Sequence, residues 1–261
     1  MPLVRANGLD VSYTVEGEGP PLVMLHGASS SATEDWAHQR ALFRQSFTCY
    51  LVDARGHAGT FWDGSGDWSR EALVEDLGAF ADALDLGVFH VAGFSMGALT
   101  AVLFATRAPE RLASALIVGI DVEAEPRTSI ARRAMDPDRI EREEPAWARQ
   151  LERRHDPVQG AGGWRRLMGA MAAAAGDEPV LTPAQLREAR VPTLLACGDR
   201  DPWVPLEHAV ALRRQLPDAR LLVAPGCEHV VTVRAAALLN VAALAFWRHV
   251  GAIGADPHRT P

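Results

Sequence analysis

No lysine occurs anywhere in this 261-residue chain, so all 26 basic residues are arginine. Chemistry that needs an ε-amine is therefore excluded: Schiff-base catalysis, lysine-anchored pyridoxal phosphate and a Walker-type phosphate loop have no residue to work with. Cysteine is scarce. Cys49, Cys197 and Cys227 are too few, and odd in number, for a disulfide framework, and two of them sit in apolar strand-like runs that suit reduced core thiols. Cys227 stands two residues before His229, yet its surroundings read as a loop near a site rather than as a nucleophile. With a formal net charge of -7 and no block of like charge, the chain has no footprint for nucleic acid or anionic membrane. No apolar run reaches the roughly 18 residues of a membrane span. Met1-Pro2-Leu3-Val4-Arg5 lacks the layout of a signal peptide, so a cytoplasmic protein is expected. His-Glu-x-x-His, paired Cys-x-x-Cys and a Gly-rich dinucleotide turn are missing too, and neither a metal nor a cofactor is expected.

What is present is an ordinary globular composition, 48% hydrophobic, enough to bury a large core in one domain. Leu3 to Glu16 reads as a hairpin turning at Asn7-Gly8. Leu22–Leu25, Cys49–Val52, Ala115–Ile120, Thr193–Cys197 and Leu221–Ala224 read as strands. Between them lie helical patterns at about Asp35–Gln45, Leu73–Leu86, Glu207–Gln215 and Val233–Trp247. Strands alternating with helices predict an α/β fold with a mostly parallel twisted sheet, whose sites lie at the carboxyl ends of the strands. The pattern changes over 121–190, which carries 12 arginines, 13 acids and no convincing strand. We read it as a helical lid inserted into a core made of 1–120 and 191–261. Its charges read as a solvated helix face with i, i+4 pairs such as Asp138 with Arg142, rather than as an anion site.

One stretch organises the rest. Gly93-Phe94-Ser95-Met96-Gly97 places a serine where an apolar run ends and a helical pattern, Met96 to Arg107, begins. A serine on such a tight strand-to-helix turn is held in a strained conformation, so its neighbours two residues away must be small. The start of the helix offers N–H groups and a positive dipole end to a developing anion. A serine hydroxyl needs an imidazole to take its proton, and the imidazole needs a carboxylate. His229, in the loop after the last strand, is the best-placed base. Asp201, in Gly198-Asp199-Arg200-Asp201-Pro202, is the favoured acid, and Asp121, after the strand that follows the nucleophile helix, is the alternative. Asp199 reads as tying down its own turn, and His26, His57 and His90 as ordering loops or strands.

In order along the chain come His26-Gly27, Asp53-x-Arg55-Gly56-His57, the Gly93–Gly97 turn, Pro109-Glu110-Arg111, Pro192-Thr193, Gly198-Asp199-x-Asp201 and Gly226-x-x-His229. In these motifs the sequence resembles the α/β-hydrolase superfamily, specifically its lidded serine hydrolase branch with a His-Gly oxyanion loop, over roughly residues 9 to 250. The resemblance implies Ser95 as nucleophile, His229 as general base then acid, Asp201 as orienting carboxylate, and the N–H groups of Ala28 and Met96 as oxyanion hole. Two positions depart from the pattern: Ala58 and Ala98 stand where glycines are usual. The implied activity is hydrolysis of a small or medium, largely apolar ester, with a small-molecule substrate as partner, or an acyl-carrier protein for an accessory thioesterase. Phe94, flanking the nucleophile, is a pocket candidate, and Trp147 and Trp164 read as lid packing residues of which one is a candidate to face the pocket. Thioester, lactone and carbon–carbon bond hydrolysis and cofactor-free haloperoxidation use the same triad, and a non-catalytic small-ligand receptor is the rival of a different class. A serine at the turn argues against haloalkane dehalogenases and epoxide hydrolases, whose nucleophile is an aspartate. Nothing in the sequence sets an oligomeric state.

Overall fold

Short apolar runs buried on both faces set the architecture. The computed structural model describes residues 1–65, 68–176 and 180–254. Eight strands form one sheet: β1 (Leu3–Ala6), β2 (Leu9–Glu16), β3 (Pro21–Leu25), β4 (Thr48–Val52), β5 (Phe89–Phe94), β6 (Leu112–Val118), β7 (Thr193–Gly198) and β8 (Ala219–Ala224). Their order is β1-β2-β4-β3-β5-β6-β7-β8; the β1-β2 hairpin is antiparallel and lies against β4, and all strands from β3 onward run parallel. At the hairpin turn Asn7 and Gly8 both take positive φ, 45° and 75°, as a type I′ turn requires.

The helices follow in chain order: α1 (Ala32–Asp35), α2 (Arg40–Phe43), α3 (Arg70–Ala83), α4 (Met96–Arg107), α5 (Arg127–Ala134), α6 (Pro137–Glu143), α7 (Pro145–Gln159), α8 (Gly163–Ala173), α9 (Pro183–Leu186), α10 (Leu206–Gln215), α11 (Val231–Arg234) and α12 (Ala236–His249). Two apolar layers sandwich the sheet. Val91 packs with residues of α3, α4 and α10, while its neighbour Ala92 packs with Trp36, Phe43, Phe246 and Trp247 on the other face. That is the alternation a pleated strand dictates.

Local side-chain demands shift several boundaries. The single helix expected at Asp35–Gln45 is two short ones, because the Asp35 carboxylate turns inward to accept hydrogen bonds from Gly27 N–H and Ser30 Oγ. The fully buried Trp36 beside it donates its indole N–H to the Leu25 carbonyl. Helix α3 starts three residues earlier than expected, where Ser69 Oγ accepts the Ala72 N–H as an N-cap. The last helix breaks at Ala235 into α11 and α12.

Between β6 and β7 lie five helices and, among the described residues, no strand. Helices α6 to α8 close around their own small core of Ile140, Leu151, Trp164, Leu167, Met168 and Met171. Leu186, Ala189 and Val191 belong instead to the core of the sheet. The expected Asp138–Arg142 pair is not formed: α8 packs across α6, so Arg165 reaches both Asp138 and Glu141, and Arg142 pairs with Glu143. Residues 177–179 of the expected lid lie outside the described residues. No described helix is long and apolar enough to cross a membrane.

Candidate active site

Ser95 sits between β5 and α4 with φ 51° and ψ -111°, a conformation that L residues rarely adopt. The crowding around it explains the flanking glycines. A Cβ on Gly93 would lie 2.4 Å from the Gly97 carbonyl oxygen, and one on Gly97 would lie 2.6 Å from the Leu25 backbone. Two hydrogen bonds hold the turn: Ser95 N–H donates to the Val118 carbonyl at 2.8 Å, and Gly97 N–H to the His26 carbonyl at 3.0 Å.

Sheet geometry then brings three distant loops together. His229 Nε2 lies 2.9 Å from Ser95 Oγ, and its Nδ1 lies 2.8 Å from Asp201 Oδ2. Asp201 is an acceptor at both oxygens, since its Oδ1 takes the Trp203 N–H at 2.8 Å. Its side chain is fully buried. Trp203 stacks on the His229 ring and Phe94 lies against it, with ring centroids 5.5 and 5.3 Å away. A carboxylate on Nδ1 leaves Nε2 free to accept a proton from the serine. Asp121, the alternative acid, is turned elsewhere: its Oδ2 meets His208 Nδ1 at 2.8 Å and its Oδ1 accepts the Glu123 N–H.

Ala28 and Met96 line the same cavity as Ser95, and neither amide N–H donates to an acceptor among the described residues. The loop that carries Ala28 is pinned from several sides. Gly27 N–H donates to Asp35, Ser29 N–H donates to His57 Nε2, and the Ser29 carbonyl accepts from His155 Nε2 and Arg154. Burial holds His57 well below the usual imidazole range, with His26 and His155 adding to the effect, and burial takes His155 down to about 4. These rings are neutral pins. Ala58, in the neighbouring loop, takes φ 39°, which is the conformation for which the usual glycine is suited.

The cavity over Ser95 opens to solvent and, counted together with the solvent at its mouth, spans about 780 Å³. Leu73, Leu99, Ile120, Met135 and Met171 make most of its wall apolar, and Arg70, Asp121 and Arg127 are its charged residues. Phe94, Trp147 and Trp164 are not among its lining residues, contrary to the sequence expectation. Phe94 is buried in the sheet core against His229, and Trp164 and Trp147 pack in and against the small core of the inserted helices. The aromatic lining comes from Trp68 and Trp203, which the sequence reading did not single out. Proximity of Trp203 to Asp201 was the one local signal for it. The rival nucleophile Cys227 is buried, and burial raises its thiol pKa. Among the described residues no group of three or more His, Cys, Asp or Glu could hold a metal ion.

A family model described as "Alpha/beta hydrolase family" matches residues 22–241. The chain is similar to pimeloyl-[acyl-carrier protein] methyl ester esterase of Nitrosospira multiformis, 28% identical over 267 residues that cover 84% of this chain and 92% of that protein. It is also similar to pyrrolizixenacetamide deacetylase of Xenorhabdus hominickii, 26% identical over 116 residues, but spans only 43% of that protein's length and matches it over 44% of its own. In fold it matches the meta-cleavage product hydrolase CumD of Pseudomonas fluorescens IP01, with a TM-score of 0.76 at 19% identity over 95% of this chain and 97% of that one.

Proposed function

Since the chain belongs to the alpha/beta hydrolase family, we propose that it is a serine hydrolase that cleaves a small or medium, largely apolar ester through an acyl-enzyme on Ser95. The observation that carries this reading is the unbroken hydrogen-bonded path from the buried Asp201 through His229 to Ser95 Oγ, which faces a largely apolar cavity. Ser95 Oγ attacks the ester carbonyl while His229 Nε2 takes its proton, and Asp201 holds the Nδ1 proton in place. The tetrahedral oxyanion accepts from the free N–H groups of Ala28 and Met96, with the α4 dipole behind it. His229 returns the proton to the departing alcohol. Water, deprotonated in turn by His229, then releases the acid. Every proton moves between protein groups, substrate and water, so the reaction as drawn draws on no cofactor. The same path serves thioester, lactone and carbon–carbon bond hydrolysis, which differ in what the cavity holds.

In this reading the stretch 121–190 works as a lid. Arg127, Ala131, Met135 and Met171 from the inserted helices form one side of the cavity, and residues of α3 and α4 the other. The test is incubation with a fluorophosphonate probe and peptide mapping, beside p-nitrophenyl esters of increasing chain length. A single adduct on Ser95 together with turnover of short esters is the expected result. Turnover with Ser95 unlabelled would remove the nucleophile assignment.

A further inference from the structure

Among the described residues, three side chains that line the cavity, Trp68, Arg70 and Arg127, carry hydrogen-bond donors without acceptors. Trp68 Nε1 and Arg127 Nη2 are buried and have no partner among the described residues, although Arg127 Nε donates to the Glu123 carbonyl. Arg70 makes no hydrogen bond or ion pair among the described residues. An unmade bond to a buried donor is among the costlier defects that a folded protein carries, most of all when the donor is charged. The two guanidinium groups also repel each other: burial, and then Arg70, bring Arg127 down to about 10, and burial lowers Arg70.

Among the described residues the nearby acids offset only part of this, through space, and none bonds to either arginine. Asp121 lines the same cavity, but both of its oxygens are engaged, by His208 and by the Glu123 N–H. Glu125 accepts from Ser129, and Glu71 pairs with Arg107. Arg70 opens α3 and Arg127 opens α5, and at the first turn of a helix the backbone favours an anion over a cation. These arginines therefore sit where neither burial nor the helix dipole rewards them. A ligand anion would satisfy all three donors at once.

We propose that this part of the cavity is a carboxylate subsite, and that the substrate cleaved at Ser95 carries a carboxylate bound by Arg70 and Arg127 with the Trp68 indole N–H as a further donor. This deepens the serine hydrolase reading and rests on it. Two arginines against the buried Asp121 leave a net single positive charge, which one carboxylate neutralises and a phosphate dianion would over-neutralise. The planar guanidinium fork matches the two carboxylate oxygens, and the apolar wall takes the chain between carboxylate and ester. The structure thus reverses the sequence expectation for Arg127, which belongs to a cavity rather than to a solvated helix face.

The experiment compares kcat/KM for matched esters. One pair is p-nitrophenyl pentanoate and mono-p-nitrophenyl glutarate; the other is butyl acetate and its analogue with a carboxylate ending the alcohol chain. A phosphonate-ended p-nitrophenyl ester is the third arm. The carboxylate member of at least one pair is expected to be preferred by about tenfold or more, the effect of one or two charge-assisted hydrogen bonds. In Arg70→Gln and in Arg127→Gln that ratio should fall to near one; a ratio cancels any shared loss from impaired folding. Turnover of neutral esters without preference in either pair overturns the subsite while leaving the serine hydrolase reading intact. A ratio unchanged in both variants, or preference for the phosphonate over the carboxylate, also overturns it. No turnover of any ester with Ser95 still labelled by fluorophosphonate overturns the substrate assignment. No labelling and no turnover overturns the reading on which the subsite rests.

Discussion

At the scale of single residues, the competing carboxylates separate most sharply. Asp201 is bonded to the imidazole that touches Ser95, whereas Asp121 is bonded to His208. Asp201→Asn is expected to lower kcat by about 1000-fold or more, through loss of the tautomer that frees Nε2, and Ser95→Ala by at least as much. Asp121→Asn should cost less than about tenfold; steady-state kinetics in which Asp121→Asn is the worse of the two would exchange their roles. A second residue-scale expectation concerns Ala58, whose Cβ is carried at φ 39°. Ala58→Gly should leave stability unchanged or raise it by up to about 1 kcal/mol, since the relieved steric strain and the added unfolded-state entropy oppose each other. Urea denaturation checks this, and a loss greater than 1 kcal/mol would mean that the methyl group packs productively. Ser95, His229 and Asp201 were legible because each lies in a short motif at a strand end. Trp68, Arg70 and Arg127 were not, because an unpartnered donor is a property of the surroundings and leaves no pattern along the chain.

At the scale of elements, the helices between β6 and β7 are fastened to the loops after β3 and β4 by buried polar side chains on α7. Gln159 accepts the Trp62 N–H and donates to the Thr60 carbonyl, while His155 bridges Ala58 and Ser29. Gln159→Leu keeps the volume but strands a buried N–H and a buried carbonyl. It should destabilise the fold by about 2 to 3 kcal/mol by chemical denaturation; a change below 0.5 kcal/mol would show that α7 is held by its apolar face alone. The strands and the helix after Ser95 could be read from their apolar runs. Helices α1 and α2 could not, because the inward turn of Asp35 and the burial of Trp36 override the local helical pattern. Helix α3 begins ahead of its first large apolar residue, Leu73, because the Ser69 cap and not the apolar stripe sets its start.

At the scale of the whole molecule, buried histidines link folding to pH. Burial holds His57 well below its ordinary range and takes His90 and His155 to about 4, against 6.5 for an unperturbed imidazole. All three are neutral when folded and protonate near 6.5 when unfolded, so below that pH the unfolded chain binds more protons. Their contribution is whole above about pH 6.5 and is lost as pH falls toward 4, each group adding up to about 1.4 kcal/mol per pH unit to the slope. Asp35, raised by burial, acts in the opposite sense and offsets part of the loss. Tm is expected to be level above pH 7 and to fall steadily from 6.5 to 4, and less steeply in His90→Gln; a level Tm across that interval would contradict the account. The mostly parallel sheet and a candidate site at the carboxyl ends of its strands followed from alternating elements, whereas the order of the strands and the cavity, assembled from α3, α4, α5 and α8, follow only from how those elements pack. Whether an acyl group passes through Ser95 is the central claim, and rapid acid quench during turnover of a p-nitrophenyl ester, followed by intact mass and peptide mapping, tests it most directly. The account predicts a transient adduct of the acyl mass on the peptide containing Ser95, accumulating before steady state and absent in Ser95→Ala. Steady turnover with no adduct on that serine at any time, and undiminished turnover in Ser95→Ala, would contradict it.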